Sequence, residues 1–166
     1  MSHLLAGLSL IITIMLQSGV ISRMTLLAGS ADLILLFLAA WGLQNHVRKI
    51  WLWTAIAGII VSLISAMPFY VPLFAYLTIT GITQIIGKRI WETPILAMFL
   101  SIFFGTLIQH ILYILALQIN GTSLSWIESF NSVTLPSLLI NMLFAIPVYA
   151  IVHEVALLAK PRGLEI

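Results

Sequence analysis

Apolar runs bounded by charged or turn residues fill almost the whole chain, and they leave it few ways to fold. Six such runs can be drawn, at about 4–22, 30–46, 50–67, 69–87, 94–118 and 134–158. Each is close to the roughly 20 apolar residues that cross a bilayer as one helix. Of the 166 residues, 61% are hydrophobic and only 7% are Asp, Glu, Lys or Arg, whereas a soluble domain is about a quarter charged. The expectation is an all-α polytopic membrane protein, a single transmembrane domain over residues 1–166 with six transmembrane helices. Six spans and their turns leave no room for a separate soluble catalytic module. The first run has no basic segment ahead of it, is long for a signal peptide and meets no clean cleavage site, so it is expected to be a permanent first helix. The absence of cysteine excludes disulfides, thiol chemistry and thiolate metal sites.

Turn residues and charges give the order and the sidedness. Met67-Pro68 separates the third and fourth runs and predicts a tight antiparallel hairpin, since proline removes a donor and disfavours helix at the residue before it. Pro72 and Pro136 are expected in the first turns of their helices, where a missing N–H matters little. With the N-terminus inside, the inner loops and tail carry Arg48, Lys49, Lys88, Arg89, Lys160 and Arg162, and the outer loops carry Arg23. That bias places both termini in the cytoplasm. The longest loop, at 120–132, is then external, with Trp126 and Phe130 suited to the membrane surface.

Polar residues recur at spacings of four along five of the runs: Ser9, Thr13, Gln17; Thr54, Gly58, Ser62, Ala66; Tyr76, Thr80, Gln84; Ser101, Gly105, Gln109; and Ser137, Asn141, Ala145, Tyr149, His153. Residues four apart share a helix face, and in lipid such small and polar rows are where helices meet. These seams serve helix packing or the docking of a partner. Pro147, inside the last run, is expected to free the carbonyl of Leu143 and bend the axis.

Few ionisable groups lie within the runs. Asp32 follows Ser30, which is expected to cap the second helix and to leave Asp32 in its first turn, where the helix dipole favours a carboxylate. An Arg23–Asp32 ion pair is the alternative compensation. His110 is a neutral hydrogen-bonding member of its seam or a proton relay. Arg48, Lys49, Lys88 and Arg89 set topology and meet anionic lipid headgroups. His153-Glu154 is half of a zinc-binding HExxH, but position 157 is Leu and the second ligand is missing. No pairing of nucleophile and base, paired carboxylates or phosphate loop stands out, and nothing calls for a cofactor, a metal or nucleic acid.

Three stretches carry a family resemblance: Gln17 and Arg23 followed by GSADLILLFLAAWGL at 29–43, ISAMPF at 64–69, and LPSLLINMLFAIPVY at 135–149. Together they resemble the rod shape-determining protein MreD family, over most of the chain. Ser62 stands where that family commonly carries an aspartate, and Ala31 where it carries proline. The resemblance implies a non-enzymatic scaffold of the bacterial inner membrane. Its partners would be an MreC-type single-span protein and, indirectly, MreB, RodA and the penicillin-binding synthases of peptidoglycan. It also implies the six-helix architecture of the substrate-binding components of energy-coupling-factor transporters, and hence a rival role in binding a vitamin-like solute.

Overall fold

The computed structural model describes residues 2–19, 25–44 and 49–158. In chain order these form α1 (Ser2–Gly19), a hairpin of β1 (Thr25–Leu26) and β2 (Gly29–Ser30), α2 (Leu33–Gly42), α3 (Ile50–Ile64), α4 (Tyr70–Arg89), α5 (Pro94–Ile119), the short α6 (Trp126–Ser129), a π-turn (Phe130–Thr134) and α7 (Leu135–Leu158). Three helical stretches are long and apolar enough to cross a membrane: Tyr70–Arg89, Pro94–Ile119 and Trp126–Leu158, the last uniting α6, the π-turn and α7. The other three apolar helices, at 4–19, 33–42 and 50–64, are shorter.

The second expected span is the main correction. Only 33–42 is helical, and ten residues rise about 15 Å, half the roughly 30 Å of a hydrocarbon core. Its upstream residues are used in the β-hairpin, and it stops at Leu43. Every residue from Ile34 to Trp41 is buried, which is how an apolar-all-round helix behaves when it forms the centre of a protein rather than its surface. The helices α1, α3, α4, α5 and α7 all pack on it.

Two of the polar seams hold α3 and α4 together. Ser62 Oγ donates to the carbonyl of Gly58 at 2.7 Å and lies against that of Phe69, and the Thr54 and Thr80 hydroxyls meet at 2.7 Å. A Cβ on Gly58 would lie 2.9 Å from Leu73 Cα, so only glycine lets the backbones come this close. Positions 62, 58 and 54 thus meet 69, 73 and 80, an antiparallel pair joined through Met67-Pro68. The next seam brings Gly105 of α5 against Ile79 of α4.

The stretch expected as an external loop to residue 132 is helical from Trp126 onward, with Ser125 Oγ accepting from the Glu128 N–H at 3.4 Å. Pro136 lies in the first turn of α7, as expected, but helical backbone continues upstream of it through the π-turn and α6. It has no N–H for the Ser132 carbonyl four residues back, and the N–H of Ala28 donates to that carbonyl instead, at 3.1 Å. Just upstream, the Leu135 N–H reaches Phe130, which makes the π-turn. The hairpin docks so tightly here that a Cβ on Gly29 would lie 2.6 Å from Ser137 N and 2.7 Å from the Val133 carbonyl.

Candidate functional site

A helix that ends inside a bundle exposes unpaired N–H groups at one end and unpaired carbonyls at the other, and in lipid these must be satisfied by protein. Both ends of α2 are, and the polar seams supply the partners.

At the N-terminal end, Asp32 is itself the cap. Its backbone is extended (φ −112°, ψ 92°) and its Oδ1 accepts from Leu35 N at 2.8 Å. Ser30, the expected cap, is held in β2 opposite Thr25, with its N–H donated to Ser137 Oγ at 3.1 Å. Gln17 reaches in from α1 and uses both ends of its amide: Oε1 accepts from Leu33 N at 2.7 Å and Nε2 donates to the Ala31 carbonyl at 3.0 Å. Asn141 of α7 accepts from Asp32 N at 2.8 Å and donates to Thr106 of α5 at 3.1 Å. Asp32 Oδ2 accepts from Tyr76 of α4 at 3.0 Å and from Gln109 of α5 at 2.7 Å. Four helices thus converge on the start of α2. The carboxylate is stabilised by three uncharged donors and by the positive end of the helix dipole. Arg23, its expected ion-pair partner, lies outside the described residues.

The C-terminal end is satisfied without charge. Its last four carbonyls, from Ala39 to Gly42, accept in turn from Leu43 N (3.1 Å), Gln44 Nε2 (3.1 Å), Gln44 N (3.2 Å) and Gln84 Nε2 of α4 (2.8 Å). Gln44 Oε1 is 3.0 Å from His153 Nδ1, which must be the donor, and the Tyr149 ring stacks on the His153 ring at 5.9 Å.

Beside these ends an apolar groove of ≈ 400 Å³ runs between α1 and α7, with α2 at its floor. Leu16, Phe37, Trp41, Phe144, Pro147 and Ile151 line it. Thr13, also in its wall, turns its hydroxyl back onto the Ser9 carbonyl at 2.8 Å, so the groove presents little but carbon. Pro147 leaves the Leu143 carbonyl without an intrahelical partner.

Compared with protein-family models, curated proteins and solved structures, the chain matches none.

Of the residues singled out from sequence, the structure brings Gln17, Asp32 and Asn141 into one cluster. Asn141 is 1% exposed and faces inward. Ser62 serves the α3–α4 contact, and His110 bridges α5 to the π-turn, its Nδ1 3.2 Å from Thr134 Oγ1. Pro147 lines the groove, and Tyr149 lies toward the opposite end of α2. Lys49, in a left-handed conformation (φ 65°), precedes α3, and Lys88 and Arg89 are exposed in the last turn of α4. Arg48 lies outside the described residues, as do Lys160 and Arg162. His153 and Glu154 join no metal-binding group, since among the described residues no three His, Asp or Glu side chains come together. Tyr76, Gln84 and Gln109 were visible as seam members but not as caps. Gln44 and Tyr113, the latter 3.4 Å from Gln109 Nε2, gave no signal in sequence.

Proposed function

We propose that this protein is a non-enzymatic scaffold of the MreD kind in the bacterial cytoplasmic membrane, a six-helix membrane domain with both termini cytoplasmic and α2 as its short core helix. It grips an MreC-type single-span partner and couples that partner to MreB, RodA and the penicillin-binding synthases. The observation that carries the reading is the contrast between a polar interior engaged mostly with its own backbone and side chains and an apolar groove on the outside. The groove follows α7 from Phe144 to Val155, roughly 16 Å or three turns. Helices in lipid associate by packing into such surfaces, since hydrocarbon offers no hydrophobic drive between them. The rival reading, a solute-binding component of a vitamin-type transporter, finds less support, because Gln17, Asp32 and Asn141 bond to backbone and to the neighbouring side chains of Tyr76, Thr106 and Gln109 rather than to a cavity.

The test is co-purification of the tagged protein with an MreC-type partner from a membrane containing both. The partner is expected to be recovered with the native chain and to be lost when Val148→Trp fills the groove, with folding unchanged. Failure to associate, or undiminished recovery with Val148→Trp, sinks the proposal. Retention of a vitamin or wall precursor through purification, with ligand-dependent thermal stabilisation, would favour the rival.

A further inference from the structure

We propose that the pocket at the C-terminal end of α2 binds the phosphate of an anionic headgroup. This pocket, ≈ 240 Å³ in volume, lies between α2 and the end of α4 and is lined by Gly42, Leu43, Gln44, Gln84, Gly87, Lys88 and Trp91. It is polar, unlike the groove on α1 and α7.

The ligand class follows from counting donors and acceptors. A helix C-terminus ordinarily favours cations, through its free carbonyls. Here all four terminal carbonyls of α2 already accept hydrogen bonds from within the protein, so they offer a cation less direct ligation and the side chains around the pocket set what it binds. The remaining capacity is mostly donor. An amide nitrogen carries two hydrogens and an ammonium three. Gln44 Nε2 and Gln84 Nε2 each commit one, to Ala40 and Gly42. Each keeps a second hydrogen, Gln44 Oε1 is occupied by His153, Gln84 Oε1 remains as an acceptor, and Lys88 and Trp91, an ammonium and an indole N–H, line the same pocket. An excess of donors with one fixed positive charge selects an anion that accepts several hydrogen bonds, and a phosphate has that chemistry. Trp91, 67% exposed, has the amphipathic ring that settles at headgroup level. The site is independent of the groove and of what fills it.

Arg89 provides the control. It neighbours Lys88, carries the same charge and is also exposed, but does not line the pocket. General attraction to a charged surface treats the two alike, whereas a site does not. The full chain is purified in neutral detergent, and its melting temperature is measured with phosphatidylcholine, with phosphatidylglycerol and with inorganic phosphate, for the native chain, Lys88→Gln and Arg89→Gln. Phosphatidylglycerol is expected to raise the melting temperature of the native chain and of Arg89→Gln, and Lys88→Gln to lose most of that rise. If inorganic phosphate gives the same Lys88-dependent rise, the site stands and its ligand is the free anion. If only the lipid gives it, the ligand is a headgroup anchored by its chains. No rise in the native chain, or equal behaviour of the two variants, overturns the proposal.

Discussion

The two ends of α2 solve one problem in opposite ways. At the N-terminal end the orphan groups are donors, and the protein supplies acceptors: a carboxylate and two amide oxygens, brought from residues up to 109 positions away along the chain. At the C-terminal end the orphans are carbonyls, and the protein supplies amide hydrogens, three of four from Leu43 and Gln44 immediately downstream. The first solution ties α1, α4, α5 and α7 together around a charge. The second is mostly local, draws one side chain from α4, and leaves a pocket beside it. Tertiary order is therefore concentrated at the Asp32 end, and the Gln44 end is the more forgiving.

Substitutions should fall in that order. Asp32→Leu removes the cap and strands the Tyr76 hydroxyl and one Gln109 hydrogen bond in a partly buried site, so it should destabilise the fold by about 3–5 kcal/mol, measured by denaturant titration in micelles. Gly29→Ala pushes a methyl group into the backbone of Val133 and Ser137 and should cost about 1–3 kcal/mol, together with faster proteolysis between α1 and α2. Asn141→Leu, which uncaps Asp32 N and releases Thr106, should cost about 2 kcal/mol in the same titration. Gln84→Leu, at the other end, should cost only about 0.6 kcal/mol, the ordinary worth of one hydrogen bond between membrane helices. A Gln84→Leu loss equal to that of Asp32→Leu would erase the distinction between the ends.

Much of this was legible in sequence where spacing along one helix was enough. The rows through Thr54, Ser62 and Thr80 mark the faces on which α3 and α4 meet, because a repeat of four is a property of the helix itself. The brevity of α2 was hidden, since hydropathy runs on through WGL and cannot show the depth at which a helix stops. Its caps come from Gln17, Gln84 and Asn141, and only the folded chain brings these to it. The setting of Pro136 was hidden for a related reason. Proline at a first turn and proline whose orphaned carbonyl is taken by a distant N–H look the same until Ala28 is seen against Ser132. Asp32 was recognised as a dipole partner, but its role as the cap depends on Ser30 being drawn into the hairpin.

The central claim is that α2 is a core helix whose N-terminal end is held by side chains from its neighbours. Hydrogen exchange of the amides at 32–36, followed in micelles for the native chain and for Gln17→Leu, tests it most directly. The account predicts that these amides exchange as slowly in the native chain as those in the middle of α5, and that Gln17→Leu speeds them while the amides at 40–44 stay unchanged. Rapid exchange at 32–36 in the native chain, or no response to Gln17→Leu, would contradict it.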